Sequence, residues 1–553
     1  MRETVVVAIA LLLIGLVFLS PAYIRPDSVG VYSYLRSAVF DHDLLFLNEW
    51  NTFGMIRNGF PLFKEITPLG TLANHWWLGA ALASAPFYLA AAPFDHSGGF
   101  FGIEGWTLAW SAVFFTFVTL MVGWRIDAGW RAGTTSAGWR AGATSAGWRA
   151  GATSAGWRAG TTCGAAFAVL FGTPLFWYTF RFPLGTHAAG AMFVALAVWA
   201  ALRDRPFTTG LMAGLAIATR LQHFVLLPAF MVLAFRRRTP IRGWAGAAAG
   251  VLLGFLPQAV AWTVIYGTPL GPLVSGAALG GTTWMPFRTF AFGAVLVSSY
   301  HGLFVWAPVT LLALAGWIEH RRDDAAILFL LMFAGEWIAN ASFDRYWWGG
   351  MSFGPRRWVD LALPFAVGIA WFARTKIRQA LVAAATLWTI ALTAGALSGT
   401  LPLARYVGYS ALLPRLAPFD LHSFVTDPSV DFAIALAIVL GIGALLLAGR
   451  RWAVPATMAA VLVMSLALAM MTGTTRTRAS RELARFHIDP VLERIGPLLD
   501  ERRLLADEAD YLRATGENER ARQTEAEIAE INRVVRVTSA RSAARSASGA
   551  QPR

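Results

Sequence analysis

Cysteine is nearly absent: Cys163 stands alone in 553 residues, which excludes an intrachain disulfide and any thiolate metal cluster. Charge is scarce as well, at 14% of residues, and no HExxH, Walker loop or GxGxxG occurs. Metalloprotease, ATPase and dinucleotide chemistry are thereby set aside. What fills the chain instead is apolar: 56% hydrophobic residues, with 24 Trp and 38 Phe, a balance that belongs to lipid rather than water. The formal charge of +14 sits in short arginine clusters between apolar runs. No single basic face results, so the clusters read as topology signals and no nucleic-acid partner is expected.

Apolar runs near the ~20 residues that cross a bilayer recur from the start, beginning with Val5 to Leu19 behind Arg2. Pro21 and the lack of a small-x-small cleavage site make this first run a retained helix rather than a signal peptide. Positively charged short loops stay on the cytoplasmic side. Arginine clusters at 124–162, 203–207, 236–243, 319–324, 374–378 and 450–451 fall in every second loop and predict about 13 spans. These are drawn at 4–20, 105–123, 163–180, 187–202, 208–220, 223–235, 244–266, 302–318, 325–340, 361–373, 379–397, 432–449 and 452–471. The short pair around Thr219 to Gln222 reads as a broken helix lining a cavity.

The segment 76–93 is apolar enough to cross, but crossing would put the arginines after Trp124 outside. It is therefore placed at the outer interface, where Trp76, Trp77, Phe87 and Tyr88 are at home and Pro86 interrupts it. The expected fold class is an all-α integral membrane protein of the inner membrane. A large extracytoplasmic first loop, residues 21–104, carries interfacial helices, and further outer loops lie at 267–301, 341–360 and 398–431.

Residues 1–472 form the polytopic domain. Within it, 129–162 repeat the nine-residue unit AGWRAGTTS or AGWRAGATS. An odd period alternates faces of helix and strand alike, so no buried stripe results and a disordered cytoplasmic loop is expected. Residues 473–553 read as a charged helical tail, with helical stretches at 490–514 and 518–535 and a disordered end.

The first outer loop is acidic and aromatic, with Asp27, Asp41-His42-Asp43 and Asn48-Glu49 following the first helix. A carboxylate partly desolvated at the interface can accept a proton from a hydroxyl; a solvated loop with capping aspartates is the alternative. Asp41-His42-Asp43 is also a DxD pattern, which through Asp41 and Asp43 would hold a divalent metal, Mg or Mn. Arg220 interrupts an apolar stretch without charged neighbours, and an ionisable residue at membrane depth points to function. Guanidinium groups grip phosphate oxygens in bidentate fashion, which marks Arg220, Arg356 and Arg357 as clamps for an anionic ligand. His187 and His301 fall at outer helix ends, where backbone capping competes with chemistry.

Asp27 followed by Tyr32, Leu35-Arg36-Ser37, Asp41-x-Asp43 and Asn48-Glu49 resembles the opening of bacterial membrane glycosyltransferases of the GT-C class. In layout these are similar to protein O-mannosyltransferases and lipid A aminoarabinose transferases, the family 39-like proteins. Gly172-Thr173-Pro174-Leu175 with His187, Thr219-Arg220-Leu221-Gln222, His301-Gly302-Leu303-Phe304, and Trp347-Trp348-Gly349-Gly350 with Phe353-Gly354-Pro355-Arg356 continue the resemblance across residues 1–375. It departs at Asp27-Ser28, where an acidic pair is common, and at His75-Trp76-Trp77.

The resemblance implies inverting transfer of a sugar from a polyprenyl-phosphate donor to an extracytoplasmic hydroxyl of a glycan, lipid or protein. Asp27 is then the base, with Asp41, Asp43 or Glu49 as a second acidic group and His75, His187, His301 and Trp348 as further pocket residues. Two rival readings are a transporter or lipid-linked glycan flippase, and an envelope assembly protein with a degenerate catalytic core. A transporter would show two similar halves. The Asp27 loop has no second copy, which favours an enzyme.

Overall fold

The computed structural model describes residues 2–19, 26–53, 55, 63, 65–95, 103–131, 155–273, 291–342, 347–349, 352–397, 401, 412 and 518–547, with isolated positions between 502 and 513. The predicted spans 432–449 and 452–471, the outer loop 398–431 save Leu401 and Leu412, and the repeat core 132–154 lie outside them. Among the described residues the chain is helical, and the sole strand-like pairing is an isolated bridge between Ile66 and Leu72.

The helices are α1 (Arg2–Phe18), α2 (Pro26–Arg36), α3 (Leu47–Thr52), α4 (Gly79–Ala91), α5 (Ile103–Arg131), α6 (Ala155–Gly172) and α7 (His187–Leu202). They continue with α8 (Pro206–Thr219), α9 (Leu227–Arg236), α10 (Ile241–Tyr266), α11 (Val309–Glu319), α12 (Asp324–Ser342), α13 (Ala362–Phe372), α14 (Lys376–Leu397) and α15 (Asn518–Ala547). Four stretches are long and apolar enough to cross a bilayer: Glu104–Ile126, Ile241–Tyr266, Asp324–Ser342 and Lys376–Leu397. α13 is buried at every position, as an all-apolar helix at the centre of a bundle must be. α8 and α10 approach until their backbones touch. A Cβ on Gly210 would lie 1.9 Å from the Ala247 carbonyl oxygen, and one on Gly250 would lie 2.3 Å from that of Phe207. This is the small-residue contact by which helices associate in lipid.

Proline corrects two drawn spans. The 163–180 span ends as a helix at Gly172 and resumes in a wide turn at Trp177–Arg181, and the 302–318 span splits into Leu303–Trp306 and α11. Pro174 and Pro308 stand at the breaks, where each lacks an amide donor and crowds the preceding turn. Pro86 behaves oppositely: α4 runs through it rather than being interrupted. In the tail, α15 extends to Ala547, past the predicted stop at 535 and into the stretch read as disordered.

The arginine loops share one end of the bundle. Arg237 donates to Asp204 (2.9 Å), to Asp324 (2.9 Å) and to the carbonyls of Ala201 and Leu202, while Arg236 reaches Asp324. Arg378 pairs with Glu319 (2.7 Å) and Arg374 with His320. Loops 203–207, 236–243, 319–324 and 374–378 are thus knitted together. From there α8 climbs about 21 Å at 1.5 Å per residue to Arg220, which places the candidate site at the other end.

Candidate active site

Asp27 occupies the first turn of α2, where a carboxylate complements the helix dipole. Both of its oxygens are held from afar in sequence. Trp76 Nε1 donates to Oδ1 at 3.1 Å, and Arg356 Nη1 donates to Oδ2 at 3.1 Å. Its side chain is nonetheless 47% exposed and that of Arg356 26% exposed, so the carboxylate is fixed but reachable.

Trp76 owes its position to a gap on α2. A Cβ on Gly30 would fall 2.1 Å from the indole, so only glycine admits the ring. Phe63 stacks on it with centroids 4.8 Å apart, the Tyr34 hydroxyl donates to the Trp76 carbonyl (2.9 Å), and Asn74 ties the same loop to the Gly30 carbonyl (2.9 Å).

One turn beyond Arg356, on the 3-10 segment Arg356–Leu361, Asp360 is fully buried. It binds the arginine at the helix break. α8 stops at Thr219, Arg220 is extended (φ −160°, ψ 126°), and a 3-10 turn over Leu221–Leu226 follows. Arg220 Nη1 donates to Asp360 Oδ2 (2.9 Å) and to His187 Nδ1 (2.7 Å), and Nη2 donates to Gln222 Oε1 (2.7 Å). Accepting that bond leaves the His187 proton on Nε2. Gln222 passes the network on to the Arg357 carbonyl (3.0 Å) and to Glu336 Oε2 (3.2 Å), and His223 Nε2 lies 3.1 Å from Asp360. A Cβ on Gly190 would meet Asp360 Oδ1 at 2.7 Å, so α7 needs glycine there to admit the carboxylate.

Asp27, Arg220, Arg356, Arg357 and His187 are therefore brought to one end of the bundle, Asp27 by direct pairing and Arg220 through Asp360. Arg220, however, has three donor contacts inside the protein, so the clamp anticipated from its isolation in sequence works mainly on Asp360. Arg356, Arg357, His301 and Trp348 line a small pocket with Asn340 and Trp358. His301 adopts a left-handed backbone (φ 64°) and donates Nδ1–H to the Trp348 carbonyl at 2.8 Å. Burial pushes its ring down to about 4 in pKa, which keeps it neutral at pH 7.

The remaining predicted residues lie in separate constellations. Asp41 accepts from Arg36 and from Asn48 Nδ2 (2.6 Å), and Asp43 accepts from Ser37 Oγ (2.7 Å) and the Leu45 amide (3.0 Å). The DxD carboxylates thus close a local turn around His42, itself left-handed at φ 60°. Among the described residues no group of three or more His, Cys, Asp or Glu is placed to hold a metal. Asp41 and Asp43 both spend their oxygens on this turn, and the reaction proposed for the chain runs through no metal. Glu49 is buried against Arg36 (2.9 Å), and burial, only partly offset by that hydrogen bond, raises it to about 7. His75 pairs with Glu65 at 3.0 Å.

Sequence reasoning missed Trp76, Asp360, Glu336, Gln222 and His223. Glu336 carried a usable signal, being an ionisable residue in the apolar run of α12 just as Arg220 is in its own.

No family model and no curated protein matches the chain. Among solved structures it is similar to the crystal structure of ArnT from Cupriavidus metallidurans bound to undecaprenyl phosphate, at 14% identity and a TM-score of 0.41, over 92% of this chain and 80% of that one.

Proposed function

We propose that the chain is a membrane glycosyltransferase that moves a sugar, with inversion, from a polyprenyl-phosphate donor to a hydroxyl of a cell-envelope glycan, lipid or protein. The observation that carries this reading is the Asp27–Arg356 pair. A half-exposed carboxylate is locked on both oxygens beside two adjacent arginines, at the end of the bundle remote from the basic loops. By the positive-inside rule that end faces outward.

In the reaction the acceptor oxygen attacks the anomeric carbon, its proton passes to Asp27, and the carbon–oxygen bond to phosphate breaks with its electron pair leaving on the phosphate. Arg356 and Arg357 meet that developing charge, and fixed cations in a partly dry site are worth more than in water. Trp76 keeps one lone pair of Asp27 occupied and so aims the other oxygen. Arg220, Asp360 and Gln222 form the frame beneath, which holds the Arg356–Leu361 segment by bonds to its own side chain and backbone. A transport reading gains nothing from the helix break at Arg220, whose charge is matched within the chain.

The test is consumption of a polyprenyl-phosphate sugar by the chain in proteoliposomes. Wild type should release polyprenyl phosphate, and Arg356→Ala with Arg357→Ala should raise KM and lower kcat. A folded wild-type chain that neither binds nor consumes any such donor removes the proposal.

A further inference from the structure

The hairpin that leads into Trp76 has its polarity inside out. Residues 65–73 double back through the Ile66–Leu72 bridge, with Gly70 at φ +80° in the turn. The polar side chains face the protein. Thr67 is buried with its hydroxyl 2.8 Å from that of Thr71, Thr71 Oγ1 donates to the Ile265 carbonyl (3.2 Å), and Glu65 pairs with His75. Two apolar side chains face out instead: Ile66 is 66% exposed and Leu69 55%.

The backbone of the tip is closed on itself as well. The Thr67 amide donates to the Thr71 carbonyl (2.7 Å), Gly70 to Thr67 (2.9 Å) and Ala73 to Glu65 (2.8 Å), and Thr67-Pro68-Leu69-Gly70-Thr71 carries no charge. A segment that satisfies its own polar groups and turns leucine outward suits lipid, where unpaired backbone is costly, better than water.

Its position fits the same solvent. Leu69 packs over the turn that ends α10: a Cβ on Gly267 would lie 3.2 Å from Leu69 Cδ2. α10 has 26 residues and so is about 39 Å long, against about 30 Å of bilayer hydrocarbon and about 40–45 Å with headgroups. It starts beside the arginine loops, so Gly267 reaches the headgroup layer of the opposite leaflet. Leu252, Leu256, Val260 and Val264, each one helical turn from the next, are exposed along α10 as a lipid-facing stripe is, and past Gly267 the exposed Leu270 and Leu273 follow. The hairpin tip meets α10 where that stripe ends.

We propose that the hairpin 65–73 is a membrane anchor, whose Ile66 and Leu69, with Leu270 and Leu273 of the neighbouring turn, insert into the lipid of the leaflet remote from the arginine loops. The partner is the bilayer itself, at the boundary between headgroups and acyl chains. Trp76 follows shortly after the hairpin and donates to Asp27, so the anchor also sets the height of that carboxylate above the lipid. The placement holds whether or not the chain transfers sugar.

The experiment places single cysteines in the full chain, freed of its own thiol by Cys163→Ala, at Ile66→Cys, at Leu69→Cys and, as the aqueous reference, at Arg322→Cys in an exposed basic loop. Each is labelled with an environment-sensitive fluorophore, and the chain is reconstituted in phosphatidylcholine nanodiscs, which leave both faces open to solutes. The labels at 66 and 69 should emit to the blue of that at 322. A lipid bearing a nitroxide near the top of its acyl chain should quench them several-fold more than the reference, and iodide should quench the reference several-fold more than them. Neither Ile66 nor Leu69 is buried, so thermal midpoints should match wild type.

Iodide quenching at 66 and 69 equal to that at 322 puts the hairpin in water and overturns the anchor. Shielding from both quenchers seats protein there, a second copy or another segment of this chain, and overturns it equally.

Discussion

Arg356 and Asp360 sit one turn apart on the same 3-10 segment, and each pairs with an opposite charge from a distant part of the chain. Asp27 and Arg356 are 47% and 26% exposed. Arg220 and Asp360 are 15% and 0% exposed. Solvent screens the first pair, so its attraction is worth ~0–1 kcal/mol and the partners can exchange each other for a ligand at little cost. The second pair is desolvated, and removing either member strands a buried charge. The same two residue types therefore make an exposed, exchangeable pair at one turn and a structural pin at the next.

The largest expected effect breaks the pin. Arg220→Ala leaves Asp360 buried without its cation and should destabilise the fold by about 3–5 kcal/mol, read as a fall in thermal midpoint of the detergent-solubilised chain. A variant that keeps its midpoint and shows only a raised donor KM would instead make Arg220 the phosphate clamp that its sequence context advertises.

A second substitution works on the exposed pair from behind. Gly30→Ala puts a methyl group 2.1 Å from the Trp76 ring, and overpacking of this kind costs about 1–3 kcal/mol. Turnover should fall further than stability does, because Trp76 is also the donor that orients Asp27. Trp76→Phe isolates that role: it keeps the packing, removes the N–H, and should lower kcat by roughly 3- to 10-fold with KM little changed. Unaltered kcat in Trp76→Phe would reduce the indole to a filler.

How much of this was readable in advance follows from the range of each interaction. The break at Arg220 was legible in the shortness of the two apolar runs that flank it, whereas the pairing of Arg356 with Asp27 spans 329 positions and no local pattern announces it. Trp76 was assigned to the interface for its residue type. Its bond to Asp27 spans 49 positions and depends on a missing Cβ at Gly30, which no local pattern reveals. Asp41 and Asp43, a short acidic pattern that fits a metal, accept hydrogen bonds from Arg36, Asn48 and Ser37 within one turn, contacts that the pattern alone does not announce. Hydropathy likewise joined spans that Pro174 and Pro308 divide, since proline breaks a helix through geometry and not polarity.

The smallest effect concerns the Arg36–Glu49 pair, which at 7% and 0% exposed is more buried than either of the other two. Its folded-state pKa, raised to about 7, means that folded chain holds a proton that unfolded chain releases near pH 4.5. The stabilising contribution of that proton is full below the unfolded value and is lost as pH rises through about 7. Protection factors at residues 47–53, which divide out the intrinsic base catalysis of amide exchange, should therefore fall between pH 5 and pH 8 in wild type and stay level in Glu49→Gln. An identical slope in both would assign the pH dependence to another group.

Proton removal by Asp27 is the central step of the proposed reaction. Turnover of a polyprenyl-phosphate sugar by Asp27→Asn, compared with wild type at matched folding and matched donor binding, isolates proton removal from everything else. General-base catalysis contributes about 10²–10⁴-fold, and a fall of that size in kcat is the predicted result. A well-folded Asp27→Asn chain that transfers sugar at the wild-type rate would contradict it and move the base to another carboxylate of the first loop.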